Sequence, residues 1–377
     1  MIHPPGIILT ILGFIAVIGP LVFIHELGHY LAGRLFGVKA DVFSIGMGRE
    51  VVGWTDRRGT RWQIAALPIG GYVKFAGDMG PASEADPAWL RLPPEEKAKT
   101  LQGRPVWQRF IVVAAGPLTN FLVAILIFAG FFAAYGVPRT PTVIAGVVRG
   151  SAAEAAGLRI GDRITSVAGR PVDRFEDVAQ MVFLRPGRPL AIGYERAGVP
   201  RVLQATPHRV VDIDDAGNRA ERGLLGITPG QPVSVRLGPV GTIGAAVEAT
   251  WGTVRMMVDV IGQVVGGQRS VRELGGPLKI AEYSGQTVSL GLLPFIHFMA
   301  LISINLGFIN LLPIPLLDGG HLLFYAMEGI RRRPLPARTQ EWAFRSGLAL
   351  LLGFMLFVTV NDLASFGLFR KLAGLIG

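Results

Sequence analysis

Residues 7–36 read IILTILGFIAVIGPLVFIHELGHYLAGRLF. From Ile7 to Ile24 the run is apolar enough to fill a bilayer, which takes about 20 residues as helix. Its inner end then carries His25, Glu26 and His29, three ionisable groups at a depth where hydrocarbon penalises them. No Lys or Arg precedes Arg34 and no small-x-small cleavage site follows, so the segment reads as a retained span rather than a cleaved leader. Four apart on a helix, His25 and His29 share a face and can hold one divalent metal through imidazole nitrogens. Glu26, their neighbour, can take a proton from a water that such a metal has acidified. The bland alternative is a set of polar side chains snorkelling to the interface.

The rest of the chain fits that start. Half of the 377 residues are hydrophobic, only 17% are charged, and the mean hydropathy is +0.44. An ordinary soluble protein is more polar. Three further runs are long enough to cross a membrane: Phe110–Tyr135, Leu292–Ile330 and Phe344–Phe369. The net charge of +10 comes mainly from Lys39–Arg109 and Arg331–Arg345, both flanking apolar runs. That distribution sets topology and argues against nucleic acid as a partner. It places both basic loops in the cytoplasm, and the termini and residues 136–291 on the outer face; Arg370 and Lys371 dissent mildly. With no cysteine, disulfides, thiolate metal sites and a Cys nucleophile are excluded, and any metal must use the six His and the carboxylates.

Residues 141–209 turn soluble and strand-rich, with Val143–Val148 and Leu190–Tyr194 as strand candidates. Gly150–Leu158 reads as a turn and short helix leading to Gly161-Asp162-Arg163-Ile164. In residues 240–265, Glu248, Arg255 and Asp259 fall on one helical face, which marks a surface-lying amphipathic helix rather than a fifth span.

Two His leave a tetrahedral catalytic metal one protein ligand short. The third apolar run contains Asn310-Leu-Leu-Pro313-Ile-Pro315-Leu-Leu-Asp318-Gly319-Gly320-His321. Asp318 lies just past a proline-broken stretch at the depth of the His pair, and His321 is the competing ligand. Asn305 and Asn310 read either as helix–helix hydrogen bonders or, for Asn310, as a donor to substrate.

The Phe-Ile-His-Glu-Leu-Gly-His core and the Asn-x-x-Pro-x-Pro-x-Leu-Asp-Gly-Gly-His run resemble the two signature motifs of the site-2 protease family. Pro68-Ile-Gly70-Gly71-Tyr72-Val73-Lys74 and the 150–171 stretch resemble its bacterial regulator-of-sigma-E branch, whose outer domains are PDZ domains. The resemblance covers nearly the whole chain in order. It implies that His25, His29 and Asp318 bind Zn²⁺, that Glu26 is the general base, and that Asn310 helps hold substrate with Pro313 and Pro315 shaping its loop. His321 matches the family motif without being a ligand there, and reads either as a partner behind the ligands or as a loop-packing residue. Well-known members carry two PDZ domains in tandem, whereas this chain has room for one.

The expected fold is therefore a polytopic α-helical membrane protein with four transmembrane helices, a membrane-associated re-entrant β-sheet and one extracytoplasmic α+β PDZ domain. Its expected segments are a first span (1–36), a β region (37–105), a second span (106–136) and the PDZ domain (140–212). A linker with the amphipathic helix (213–291), a third span (292–330) and a fourth (343–369) complete it. A helical substrate must unwind before hydrolysis, and a strand edge within 42–75 could capture it by β-addition. Val42–Gly48 with Gly46 and Gly48, and Arg61–Phe75 with Gly70 and Gly71, are the candidates; an ordinary cytoplasmic hairpin is the alternative. The resemblance implies an anti-sigma-factor-like single-span membrane protein as substrate, with remnant signal peptides as a second class. The other expected partner is the lipid bilayer, with the protein as a monomer in it. A non-enzymatic PDZ scaffold and a metal transporter are the rival readings. The intact set of His25, Glu26, His29 and Asp318 argues against the first. The lack of a polar path across the first two spans argues against the second.

Overall fold

The computed structural model describes residues 6–78, 92–213, 219–266, 275–333 and 335–365, and divides into two compact units. The larger unit opens with α1 (Ile7–Leu35), then β1 (Ala40–Thr55), β2 (Arg61–Phe75), α2 (Pro94–Lys97) and most of α3 (Val106–Tyr135). The smaller unit holds β3 (Val137–Arg139), β4 (Ile144–Val147), α4 (Ala152–Ala155), β5 (Arg163–Val167), β6 (Arg170–Pro171) and α5 (Phe175–Phe183). It continues through β7 (Leu190–Arg196), β8 (Val199–Ala205), β9 (His208–Ile213), β10 (Arg219–Leu224), β11 (Ile227–Pro229) and β12 (Val233–Val235). The helix α6 (Pro239–Val265) contributes to both units. The larger unit then resumes with α7 (Pro277–Leu290), α8 (Leu292–Asn310), α9 (Asp318–Arg331) and α10 (Ala337–Ser365).

Four helical segments are long and apolar enough to cross a membrane: Ile7–Leu35, Val106–Tyr135, Leu292–Asn310 and Arg338–Leu363. Their exposed side chains fit that solvent. Ile7, Ile8, Ile11, Leu12 and Ile15 on α1, and Leu350, Leu352, Phe354 and Leu356 on α10, are all exposed. Water would penalise such surfaces, while lipid accepts them. Between helices the contacts run through small residues, as membrane packing favours. Gly13 lies against Ser284, Gly28 against Thr119 and Ala115, and Gly307 against Pro117; a Cβ on any of the three would meet its neighbour at 3.0 Å or less. The third apolar run is two helices joined by the bend at 311–317, because Pro313 and Pro315 cannot continue a helix. The end of the fourth run, 366–369, lies outside the described residues, as do Arg370 and Lys371.

β1 and β2 are each long enough to bend and pair twice. Residues 40–45 pair with 71–75 in opposite directions, and 50–55 pair with 61–65 in the same manner. The pairs Val42–Arg61, Phe43–Trp62, Ser44–Gln63 and Ile45–Ile64 instead ascend together. The result is four strand segments in the order 50–55, 61–65, 40–45, 71–75, which leaves Gly71–Phe75 at one edge. Gly46 and Gly48 make the bend in β1 with φ of +85° and +91°, a region L side chains rarely adopt. A Cβ on Gly46 would also sit 2.5 Å from the Leu67 carbonyl oxygen. Phe43 stacks on Trp62 with ring centroids 4.3 Å apart, and together with Tyr30, Val38, Val73, Phe75, Leu101 and Val112 fastens this sheet to α1 and α3. The segment 49–55 goes beyond the candidate strand Val42–Gly48.

The smaller unit is an α+β fold around a four-stranded sheet ordered β6-β5-β7-β8. Ile144, Ala153, Ile164, Val167, Val178, Ile192 and Leu225 fill its core. The folded unit continues past residue 212, because β10, β11 and β12 pair with β9, β4 and β3, and Leu225 enters the core. The pairing of Val137 with Val235 brings the two ends of the unit side by side.

Asp162, in the Gly-Asp turn, is 1% exposed and accepts two hydrogen bonds from Arg196, at 2.7 and 2.8 Å, and one from the Arg159 amide at 2.8 Å. The Arg196 hydrogen bonds hold its carboxyl below the usual carboxylate range. A depressed acid contributes stability above the unfolded value, about 3.9, and loses it as pH falls through the folded one. Hydrogen-exchange protection at Ile164 and Tyr194 in the full chain, relative to the intrinsic rate at each pH, should therefore fall as pH drops below about 4, and Asp162→Asn should flatten that dependence. An Asn variant with an unchanged pH profile would contradict this assignment.

Candidate metal centre

His25, Glu26 and His29 occupy one turn of α1 and are all buried, at 6%, 8% and 8% exposure. α9 begins at Asp318, so its first residue is the carboxylate that faces them. The loop that delivers it is tightly constrained. Leu316 adopts φ +81°, an uncommon conformation for a γ-branched residue, of the kind retained where surrounding structure enforces it. Gly319 and Gly320 follow because a Cβ on either would strike the carbonyl oxygens of Leu312 or Ile314. Gly347 of α10 closes on Pro315, where a Cβ would meet Pro315 Cβ at 2.6 Å.

Asp318 Oδ2 lies 3.1 Å from His25 Nε2 and 3.4 Å from His29 Nε2, and the two Nε2 atoms are 3.2 Å apart. His29 donates its Nδ1 proton to the Val112 carbonyl oxygen at 2.9 Å, which leaves Nε2 with a bare lone pair. Asp318 Oδ2 is buried and faces the two imidazole nitrogens. Three donor atoms thus converge on one point. Ligands 2.0–2.1 Å from a tetrahedral zinc stand about 3.3 Å from one another, which matches these separations. Two imidazoles and a carboxylate are also a known catalytic zinc donor set. Among the described residues, His25, His29 and Asp318 are the one group of three or more such side chains that could hold a metal.

His321 is elsewhere. Its ring packs 5.3 Å from Phe344 and 6.4 Å from Tyr325, one turn further along α9. Gly71 lies against Glu26: a Cβ there would come within 3.0 Å of Glu26 Cγ and 2.8 Å of Val22 Cγ1. Through that contact the sheet edge at Gly71–Phe75 runs beside the candidate base. Gly46, Gly48 and Gly70 sit at bends of the sheet, and Gly70 approaches Met47 rather than the His pair. Asn310 ends α8, and its side chain makes no hydrogen bond among the described residues; Asn305 likewise lacks the helix–helix bond expected of it. Arg109 of α3 pairs with Glu328 of α9 at 2.6 Å and lies 4.9 Å over the Tyr325 ring, which ties the helix bearing Asp318 to α3.

Three contributors escaped the sequence reading. Val112 fixes the His29 ring. Gly116 leaves room for that ring, since a Cβ there would overlap it. Asn120, fully buried on α3, places its amide 3.0 Å from His25 Nδ1. The Gly-Pro pair at 116–117 inside an apolar run was the available signal of a close approach.

Comparisons with known proteins show the family. The profile of peptidase family M50 matches residues 13–354. An Agrobacterium fabrum protein provisionally named a zinc metalloprotease is 45% identical over 360 residues, covering 94% of this chain and 96% of that one. The metalloprotease MmpA of Caulobacter vibrioides is 36% identical, covering 98% and 99%. Among solved structures, the PDZ domain of an SdrC-like protein from Listeria monocytogenes aligns with 25% of this chain and 90% of its own, at 19% identity and a TM-score of 0.19. By a family match and relatives that both span nearly its whole length, the chain belongs to peptidase family M50, the site-2 protease family of zinc metalloproteases.

Proposed function

We propose that this protein hydrolyses a peptide bond within the transmembrane segment of a single-span membrane protein. The observation that carries the reading is the convergence of His25, His29 and Asp318 beside Glu26, on helices whose remaining surfaces suit lipid. His25, His29 and Asp318 would hold the zinc. When bound, zinc supplies Lewis-acid polarisation of the scissile carbonyl and lowers the pKa of a water to about 7. Glu26 takes that water's proton as the oxygen adds to the carbonyl carbon, and returns it to the amide nitrogen as the C–N bond breaks. The edge Gly71–Phe75 accepts the unwound substrate as an added strand, pairing its backbone where water is scarce. Asn310 donates its free amide to a substrate carbonyl, and Pro313 and Pro315 hold that loop open.

The substrate class is an anti-sigma-factor-like protein already trimmed on the outer side, with remnant signal peptides as a second class. The setting is a bacterial cytoplasmic membrane, with the PDZ-like unit and both termini outside. A reporter fused after Pro81 should then be cytoplasmic and one inserted near Asp214 external, both positions lying outside the described residues. Reporters on the same side would overturn this topology.

The outer unit acts as a size filter, excluding substrates that retain a bulky outer domain. Because Val137 pairs with Val235, residues 140–232 can be replaced by a short linker with little strain on α3 and α6. Cleavage of untrimmed substrate by that deletion is the expected result. A recruiting role is favoured by one feature, an apolar groove of about 150 Å³ lined by Phe175, Val178, Val182, Leu224 and Ile227. If the deletion leaves untrimmed substrate intact and slows cleavage of trimmed substrate, recruitment replaces exclusion.

A further inference from the structure

The two histidines of the centre are held differently. His29 Nδ1 faces a backbone carbonyl, which can only accept, so its tautomer is fixed with Nε2 bare. His25 Nδ1 faces a side-chain amide whose nitrogen lies 3.0 Å away, and the oxygen of that same amide is buried without a partner. Asn120 is 0% exposed and sits on α3 between two packed helices. Its backbone carbonyl accepts from Ser303 Oγ at 2.8 Å, which ties this turn of α3 to α8.

An amide N–H donating to His25 Nδ1 requires the imidazole proton to be on Nε2. That proton faces the bare lone pair of His29 Nε2, 3.2 Å away, which suits a metal-free pair. It does not suit ligation, because a metal binds the Nε2 lone pair and the proton must then move to Nδ1. Two donors would face each other across 3.0 Å. Turning the Asn120 amide by half a rotation exchanges two atoms of nearly equal size and puts an acceptor there. One amide atom lacks a partner in either orientation, so the state of His25 decides between them.

We propose that Asn120 is a positioning residue that sets the tautomer of His25: its Oδ1 accepts the Nδ1 proton when Nε2 ligates the metal, and its amide nitrogen donates to Nδ1 when the site is metal-free. The amide thus does for His25 what the Val112 carbonyl does for His29. Such outer partners orient the ring and raise its basicity, and removing one typically costs 10- to 100-fold in metal affinity, about that range being expected here.

The inference rests on His25 being a ligand, so the test carries that control. Zinc affinity is measured on the purified full chain by chelator competition, together with thermal stability of the zinc-free form. Asn120→Leu, close in size but unable to accept, should bind zinc about 10- to 100-fold more weakly. Asn120→Asp, which can only accept when ionised, should bind zinc at least as tightly as wild type. Zinc-free stability reports the loss of packing, whereas recovery of affinity by Asp over Leu reports the hydrogen bond. Wild-type affinity in Asn120→Leu, or equal weakening in both variants, overturns the proposal. Should Asn120→Leu fail to fold, a tenfold loss in Asn120→Asp does the same. If His25→Ala also binds zinc like wild type, the ligand assignment itself has failed; if only His25→Ala loses zinc, Asn120 alone is misassigned.

Discussion

Glu26→Gln is expected to reduce cleavage by about 100- to 10,000-fold while zinc content stays at the wild-type level. The substitution keeps the size of the side chain, so Val22, Gly71 and the sheet edge need not move. It also leaves His25, His29 and Asp318 untouched. What disappears is the carboxylate beside the ligands that takes and returns a proton. A preparation free of other proteases, assayed by metal analysis and single-turnover cleavage, separates the two effects. Substantial residual turnover would remove Glu26 from its role, and loss of zinc would recast it as part of the metal shell.

The second large effect concerns Asp318. Asp318→Asn exchanges a charged ligand oxygen for a weak neutral one, and zinc affinity should fall by more than about 100-fold, beyond the 10- to 100-fold typical of an outer-shell partner. His321→Ala should leave zinc in place, because that ring rests on Phe344 and Tyr325 rather than on the metal donors. Its cost belongs to stability, as packing between α9 and α10 loosens. The reverse pattern in metal analysis would move the third ligand to His321.

These two residues show where reading the sequence succeeds and where it stops. The i, i+4 spacing of His25 and His29 is local, so helix geometry alone places both rings on one face. Asp318 and His321 are also close in sequence, and spacing cannot tell which one meets a helix some 290 positions earlier. The loop decides: Leu316 at positive φ and two prolines present the first residue of α9 to the His pair. The four apolar helices were legible because their length and hydrophobicity are fixed by the bilayer. The sheet order was not, since the bend at Gly46 and Gly48 lets each strand pair twice, and non-local register leaves little trace in sequence. α7 was hidden inside a supposed linker because its packing against Gly13 of α1 depends on Ser284 and Gly285, not on an apolar stripe. Asn120 was not singled out in the sequence, for its partner lies 95 residues away.

The central claim is that these helices cut a peptide bond inside a membrane. The most direct measurement reconstitutes the purified chain in liposomes with a single-span substrate and maps the product ends by mass spectrometry. The account predicts one main cut within the substrate's apolar segment, dependent on zinc and absent with Glu26→Gln. Cleavage confined to residues outside that segment, or equal cleavage by Glu26→Gln, would contradict it.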